Sequence, residues 1–446
     1  MASNNHMKFL LPFIFIFAFV FSAYSQSNAP GTEAAITEFD VNGLKVIFKR
    51  RSSSPTVSTG LFFRGGARNE TADNAGIESL ALDAATEGSK KFPRDMLRGE
   101  LARTGTAIGS ASSYDYSAIS MVSTSQFFER SWEILTDLVL NPNFAPDDVD
   151  REKAAMIAGL RNESASPDSA LDSLEEKVIF TGHPYAANPT GSVETVSKLT
   201  PEALRAYHKG LLQTSRMLLV VVGDADVNQI KKLVTASFAS LPRGDYKDGA
   251  LPRLQFAQPT LDVTARQLNT NYIKGVFQAP SISDPDYYAM RVAISILQRN
   301  VYQEVRLKRN LSYAPNASMN DRAANSAEIY VTAVDANQAI KVMLNEIDKL
   351  RQGPIDADEF TGVPGYFLTT YYVDQETNAA QAGELARYEL IGGGWRNSLN
   401  FLNGIATVTP QDVYNASVKY MKNIRFVVVG DPKAIDRAVF LASAHS

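Results

Sequence analysis

Two stretches of this chain repeat one another in order. Leu199-Thr-Pro-Glu leads into a helical pattern, then Val220-Val-Val-Gly-Asp, then a second helical pattern. Val408-Thr-Pro-Gln leads into a helical pattern, then Val427-Val-Val-Gly-Asp, then a further helix. Thr200 and Thr409 lie 209 positions apart, and Gly223 and Gly430 lie 207 apart. Coincidence explains one shared Thr-Pro but not the same order of elements at nearly the same offset. The chain therefore reads as a duplicated α/β unit. Its 446 residues are enough for two units with large cores. The polar, Gly- and Pro-bearing stretch Pro242 to Pro259 reads as the connection between them. We place the first domain at 26–245, the linker at 246–262 and the second domain at 263–446.

Composition narrows the function. Hydrophobic residues make up 45% and charged residues 21%, as in soluble globular proteins. A net charge of −4 provides no electrostatic basis for binding nucleic acid or an anionic membrane. The chain has no cysteine, which excludes disulfides, thiolate metal sites and cysteine nucleophiles and suits an oxidising compartment. The four histidines, His6, His183, His208 and His445, are far apart in sequence, so no motif of closely paired histidines exists. His183, in Thr-Gly-His-Pro-Tyr, reads as a structural turn residue. His208 reads as a partly exposed residue on the helix before the Met217–Val222 strand.

Met7 to Gln26 reads as a secretory signal. Lys8 supplies the positive start, Phe9 to Phe21 the apolar run, and Ala23 and Ser25 the small residues before a cleavage at Gln26. The apolar run is shorter than the ~20 residues that span a bilayer. Residues 1–25 are thus expected to be a signal peptide, the mature protein to be secreted or periplasmic, and no membrane contact to follow cleavage.

Local patterns fill in the first half. Alternating Phe39, Val41, Leu44, Val46 and Phe48 around Asn42-Gly43 predict a hairpin. Ser58 to Phe63 predicts a strand, and Ala107 to Val122 two short ones. Helices are predicted over Gln126–Leu140, Asp147–Ser164, Pro201–His208 and Val227–Phe238. Asn74 to Gly88 predicts a short amphipathic helix with Ile77, Leu80, Ala81, Ala84 and Ala85 on its apolar face, Asn74 as cap and Gly88 as stop.

The Gly65-Gly66 turn, Asn-Ala-Gly-Ile on that helix, Gly88-Ser-Lys-Lys-Phe-Pro after it and the duplication together resemble the insulinase/pitrilysin family of zinc peptidases, which includes the mitochondrial processing peptidase. The resemblance covers about residues 32 to 440. It implies an α/β (α+β) fold of two homologous domains, each a mixed, largely antiparallel sheet backed by helices, LuxS/processing-peptidase-like. Active members carry His-x-x-Glu-His on this helix. Histidines at i and i+4 share one face and hold zinc, with the glutamate as general base. The corresponding residues here are Ser79, Leu82 and Asp83, and the position of the third ligand falls on Gly159. A small shift in alignment offers Glu152 or Glu163 instead, without supplying histidines. The resemblance therefore implies no cofactor in this chain and no peptidase activity by the chain alone.

In the second half, Val301-Tyr-Gln-Glu-Val-Arg-Leu-Lys-Arg-Asn-Leu-Ser-Tyr resembles the family's Leu-Phe-x-x-Leu-Arg-x-x-x-Gly-Leu-x-Tyr element. Its arginine and tyrosine match Arg306 and Tyr313. In the family this pair reaches a zinc-bound peptide from across a closed chamber. A tyrosine hydroxyl can donate to an oxyanion, and an arginine offers a planar fork to a carbonyl or carboxylate. The other reading of the two residues is a surface ion pair for Arg306 and core packing for Tyr313. Two features depart from the element: Leu297-Gln-Arg-Asn-Val301 lacks the glycine-rich loop often found before it, and Asn310 replaces its glycine. The resemblance implies a non-zinc-binding subunit of a heterodimeric peptidase, with zinc in the partner and Arg306 and Tyr313 donated in trans to a peptide substrate. The alternative is a non-catalytic scaffold or peptide-binding protein of the same fold.

Overall fold

The computed structural model describes residues 35–442, so the expected signal peptide, His6 and His445 lie outside the described residues. The first half contains β1 (Ile36–Val41), β2 (Leu44–Arg50), β3 (Thr56–Arg64), α1 (Ile77–Ala85), α2 (Arg94–Thr104), β4 (Ala107–Ser112) and β5 (Tyr116–Thr124). It continues with α3 (Phe128–Leu140), α4 (Pro146–Ala165), α5 (Pro167–Phe180), α6 (Val193–Lys198), α7 (Pro201–Leu211), β6 (Met217–Gly223) and α8 (Val227–Phe238). The second half contains β7 (Thr260–Ala265), β8 (Asn271–Gln278), α9 (Tyr287–Val301), β9 (Asn316–Met319), β10 (Ser326–Ala333) and α10 (Ala336–Gln352). It ends with α11 (Ala357–Phe360), α12 (Val363–Asp374), α13 (Asn378–Ile391), α14 (Phe401–Ala406), α15 (Pro410–Tyr420), β11 (Arg425–Gly430) and α16 (Arg437–Leu441).

Among the described residues the strands form two sheets, ordered β1-β2-β6-β3-β5-β4 and β7-β11-β8-β10-β9. β6 runs parallel to β2 and antiparallel to β3. β11 runs parallel to β7 and antiparallel to β8. The two Val-Val-Val-Gly strands therefore hold the same place in two sheets of the same topology, and the fold is the mixed α/β duplication expected from the repeat. Each Thr-Pro marks a helix start in the same way. Thr200 accepts from the Ala203 N–H at 3.3 Å and Thr409 from the Asp412 N–H at 3.2 Å, with proline in the first turn. The Asn42-Gly43 hairpin turn has φ of +52° and +89°, the left-handed pair that matches strand twist.

Alternation along the strands decides how the halves join. Leu219 and Val221 of β6 face the first core, with Phe48, Leu61, Phe63, Trp132 and Phe238. Leu218, Val220 and Val222 face the other way and are covered by Ala382, Leu385 and Ala386 of α13 and by Trp395. The second sheet does the reverse. Phe426 and Val428 of β11 enter the second core, while Val427 and Val429 pack on Leu171 of α5. Each half thus lends one helix to the other half's sheet. Polar contacts follow the same exchange. Lys274 of β8 meets Asp172 and Glu175 of α5, both at 2.7 Å, and the Asp115 and Tyr185 side chains accept the Ala323 and Ala324 N–H groups. Between α8 and β7 the chain has no regular structure, yet Leu254 and Phe256 are buried; β7 begins inside the expected linker 246–262.

This exchange predicts that the halves unfold as one cooperative unit. Trp132 lies in the first core and Trp395 at the junction. Trp132→Phe and Trp395→Phe variants, each leaving one fluorophore, are expected to report a single coincident urea transition. Leu385→Ala should lower stability by about 2–4 kcal/mol in both reporters. Two separated transitions would refute the coupling.

Candidate functional site

Helix α1 is set by the loop before it. Gly66 has φ of +46°, and a Cβ there would meet the Ser113 carbonyl oxygen at 2.2 Å, so the Gly-Gly turn has no room for a side chain. The helix begins after Gly76, which has φ of +89°. The expected cap is corrected here. Asn74 accepts from the Thr71 N–H and hydroxyl instead, and the Glu70 carboxylate takes the Gly76 and Glu78 N–H groups at 2.8 and 3.0 Å. A carboxylate from six residues upstream thus satisfies the first donors of the helix. Burial pushes Glu70 up to about 7, against the pull of those two hydrogen bonds. The stop also differs: the helix ends at Ala85, its Thr86 N–H returns to Leu82, and Gly88 lies further on.

The predicted apolar face of Ile77, Leu80, Ala81, Ala84 and Ala85 is buried. The positions expected to be degenerate lie around it. Leu82 is buried in the first core. Ser79 and Asp83 are half-buried on one face, and the Asp83 carboxylate accepts the Ser110 hydroxyl from the edge strand β4. Burial raises Asp83 above the usual carboxylate range, Ser110 opposes this, and Glu87 adds to it. Gly159 is exposed on α4 with open space around it, and Glu163 is exposed further along the same helix. Glu152 is half-buried, raised by burial and by Glu87 and Asp83. Arg94 holds Glu87 at 2.9 Å and Asp148 at 3.0 Å. These residues do not fit a zinc ion: the facing acid is hydrogen-bonded to Ser110, its neighbour is a hydroxyl, and the place of the base is apolar. Among the described residues no cluster of three His, Cys, Asp or Glu side chains is arranged to hold a metal.

Sequence reading missed the ionic core beneath this helix. Glu78 is 0% exposed, and its Oε2 accepts the Tyr207 hydroxyl at 2.6 Å and Arg216 Nη2 at 3.1 Å. Arg216 also donates to the Arg64 carbonyl at 3.0 Å and stacks on the Tyr246 ring. Burial, then the Glu78 carboxylate, raises the Tyr207 hydroxyl, so it stays a donor. One signal was present: Glu78 sits beside Ile77 within the apolar arc, where a carboxylate needs a partner.

The second candidate element continues α9. Leu297, Val301 and Val305 are buried, and the helix passes without a break into a π-helical segment, Tyr302–Lys308. Continuous helix therefore stands where a glycine loop would be. Asn310 has φ of +51°, a conformation that asparagine tolerates better than most residues, so the turn survives without glycine. The turn returns the chain so that Arg306 Nη1 donates to the Tyr313 carbonyl at 2.6 Å. The guanidinium lies 4.0 Å from the Tyr313 ring centroid and 5.2 Å from that of Tyr302. Tyr313 is 78% exposed, not packed in the core. An open hollow of about 640 Å³ beside the pair is lined by residues between Thr270 and Val334, all from the second half.

The remaining histidines divide. His183 takes the Tyr185 N–H on Nδ1 at 3.1 Å and lies 2.8 Å from the Pro252 carbonyl through Nε2, a structural turn as expected. His208 is corrected: it is 3% exposed, packed edge-on to Phe144, with burial pushing it down to about 4.

Two measurements test these assignments. Glu78→Ala leaves Arg216 without its buried acid and should cost about 3–5 kcal/mol; adding Arg216→Met should recover part of that loss. A smaller cost than for an ordinary surface change would refute the buried pair. His208 has a lower pKa folded than unfolded, so the unfolded chain binds the extra proton between pH 6.5 and 4. Its stabilising contribution is complete above about pH 6.5 and lost as pH falls toward 4. His208→Leu should remove on the order of 2–3 kcal/mol of that pH dependence in denaturant titrations.

Comparison with known proteins fits this geometry. The family described as "Insulinase (Peptidase family M16)" matches residues 45–186, and "Peptidase M16 inactive domain" matches 198–363. The chain is 25% identical over 279 residues to cytochrome b-c1 complex subunit 1, mitochondrial, of Bos taurus, covering 62% of this chain and 58% of that protein. The chain thus spans less than two thirds of the length of that relative. It is 23% identical to the uncharacterized zinc protease ML0855 of Mycobacterium leprae, over 86% of this chain and 88% of that one. Among solved structures, the peptidase M16 inactive domain from Pseudomonas fluorescens superposes with a TM-score of 0.82 at 18% identity, over 89% of this chain and 98% of that one. The first half of the periplasmic protease PqqL from Escherichia coli gives 0.75 at 16% identity, over 92% and 96%. With two family descriptions matching most of the described chain and the whole fold shared, this protein belongs to the insulinase family, peptidase family M16.

Proposed function

We propose that this chain is the metal-free subunit of a two-chain M16 peptidase. Its partner is a zinc-binding member of the family, and this chain presents Arg306 and Tyr313 to the peptide held there. The observation that carries the reading is the contrast between two places. Around α1 the ligand positions are Ser79, Leu82, Asp83 and Gly159, and the residues present suit no metal. At the end of α9 a guanidinium is stacked on an exposed tyrosine whose hydroxyl faces no core. A phenol and a planar fork held together are suited to hydrogen-bond a peptide carbonyl and the charge that develops on it. The hollow beside them draws no residue from the first half. This supports a pair that serves a substrate brought by another chain and not one held on α1.

The signal-like sequence before Gln26 supports work outside the cytoplasm, secreted or periplasmic. No helix among the described residues is long and apolar enough to cross a membrane. The second reading, a scaffold or peptide-binding protein without catalytic duty, draws on the unbroken α9, which leaves no glycine loop to move against a substrate.

A mixed assay separates them. Purified chain is added to a zinc-bearing M16 subunit from the same source, and hydrolysis of a quenched fluorescent peptide is followed. Wild type should raise the rate, and Tyr313→Phe and Arg306→Ala should each cut kcat/KM by about 10- to 100-fold. Equal rates with wild type and both variants would leave only the scaffold reading.

A further inference from the structure

We infer that the hollow beside Arg306 is a carboxylate-binding pocket, taking the terminal or side-chain carboxylate of a peptide on Arg306 and Ser312. The inference deepens the proposed peptide role of Arg306 and rests on it for the choice of a peptide ligand.

The charge arrangement comes first. From Tyr302 to Tyr313 the sole acid is Glu304, against Arg306, Lys308 and Arg309. Glu304 is already engaged by Lys308 and Arg309, whose hydrogen bonds hold it down at about 2. It is ionised and occupied, so it does not neutralise Arg306. The hydrogen bond described for Arg306 goes to a neutral carbonyl, that of Tyr313, and uses one of five N–H donors. A half-buried guanidinium within 4.0 Å of one ring centroid and 5.2 Å of another, with no carboxylate partner among the described residues, is a site of unmet positive charge.

The second observation is independent. Ser312 lines the same hollow and is 7% exposed; its hydroxyl oxygen is shielded behind the wall, has no hydrogen-bond partner among the described residues, and reaches a ligand by turning about the Cα–Cβ bond. A buried, unpaired hydroxyl costs stability unless something completes it. Thr270 and Thr332 add hydroxyl side chains to the wall, and Leu307 and Val334 add exposed apolar surface for a peptide stem. Donors and apolar surface lining one hollow suit a carboxylate carried on an apolar peptide. Tyr302 is a positioning residue in this scheme, because its ring centroid lies 5.2 Å from the guanidinium.

The test is equilibrium binding to the intact chain without any partner. Three fluorescein-labelled peptides are titrated by anisotropy: Ala-Val-Leu-Val-Ala as the free acid, the same peptide as its C-terminal amide, and the amide with glutamate replacing the central leucine. The acid should bind about tenfold or more tightly than the plain amide. If the glutamate amide matches the acid, the source is a side-chain carboxylate; if it matches the plain amide, the source is the chain terminus. Both outcomes support the pocket. Arg306→Gln should abolish the preference and Ser312→Ala should reduce it several-fold, with far-UV circular dichroism unchanged. Tyr302→Leu should weaken the acid and spare the plain amide. Equal affinity for all three peptides, dissociation constants above about 1 mM for all, or a preference that persists in Arg306→Gln would overturn the pocket. Loss of hydrolysis in Arg306→Ala with no acid preference would leave the shared-site role standing without it. An acid preference with unaffected hydrolysis would do the reverse.

Discussion

The structure depends on an exchange of helices between two sheets. A sheet in this fold has two apolar faces, because β6 and β11 carry unbroken apolar runs, Met217 to Val222 and Phe426 to Val429. One face is covered by helices of the same half. The other would be bare if the half stood alone, and it is covered by α13 in one direction and by α5 in the other. Neither half buries its sheet without its neighbour, so the duplication is retained as a pair. The charged groups placed at this junction, Lys274 with Asp172 and Glu175, are matched across it. They set which surface meets which, more than they add to stability.

The same constraint explains why α1 keeps its place without the histidines of a zinc helix. Its apolar face closes the gap over α4 and α7, with Leu80, Ala81, Ala84 and Ala85 fully buried. Its first donors are held by Glu70, and Glu78 anchors it through Tyr207 and Arg216. None of these contacts needs the metal positions. Ser79 and Asp83 lie on the half-buried face, outside those contacts, and Gly159 faces open space. The packing contacts and the positions aligned with zinc ligands fall on different faces of this helix.

Much of this was legible in linear sequence because it is local. The hairpin at Asn42-Gly43, the strands at 58–63 and 107–122 and the helix at 227–238 follow from turn residues and periodicity within a dozen positions. Asn74 misled because a residue with the right chemistry for capping bonded backward to Thr71, while the capping carboxylate came from Glu70. His208 misled because an amphipathic helix shows which side is apolar but not what arrives to cover the boundary, here Phe144.

Arg306 and Tyr313 show where each kind of information ends. Sequence alone determined the duplication, the helix period, the lack of histidine on α1 and the spacing of the arginine and tyrosine. All are set by residue type and order along one segment. Tertiary structure decided that the guanidinium lies against the tyrosine ring, that the phenol is exposed, that Ser312 is buried unpaired beside them, and that the halves trade helices. Those outcomes turn on a π-helical turn, one left-handed asparagine and the meeting of surfaces far apart in the chain. Burial and partner choice are properties of that meeting, and no local pattern encodes them.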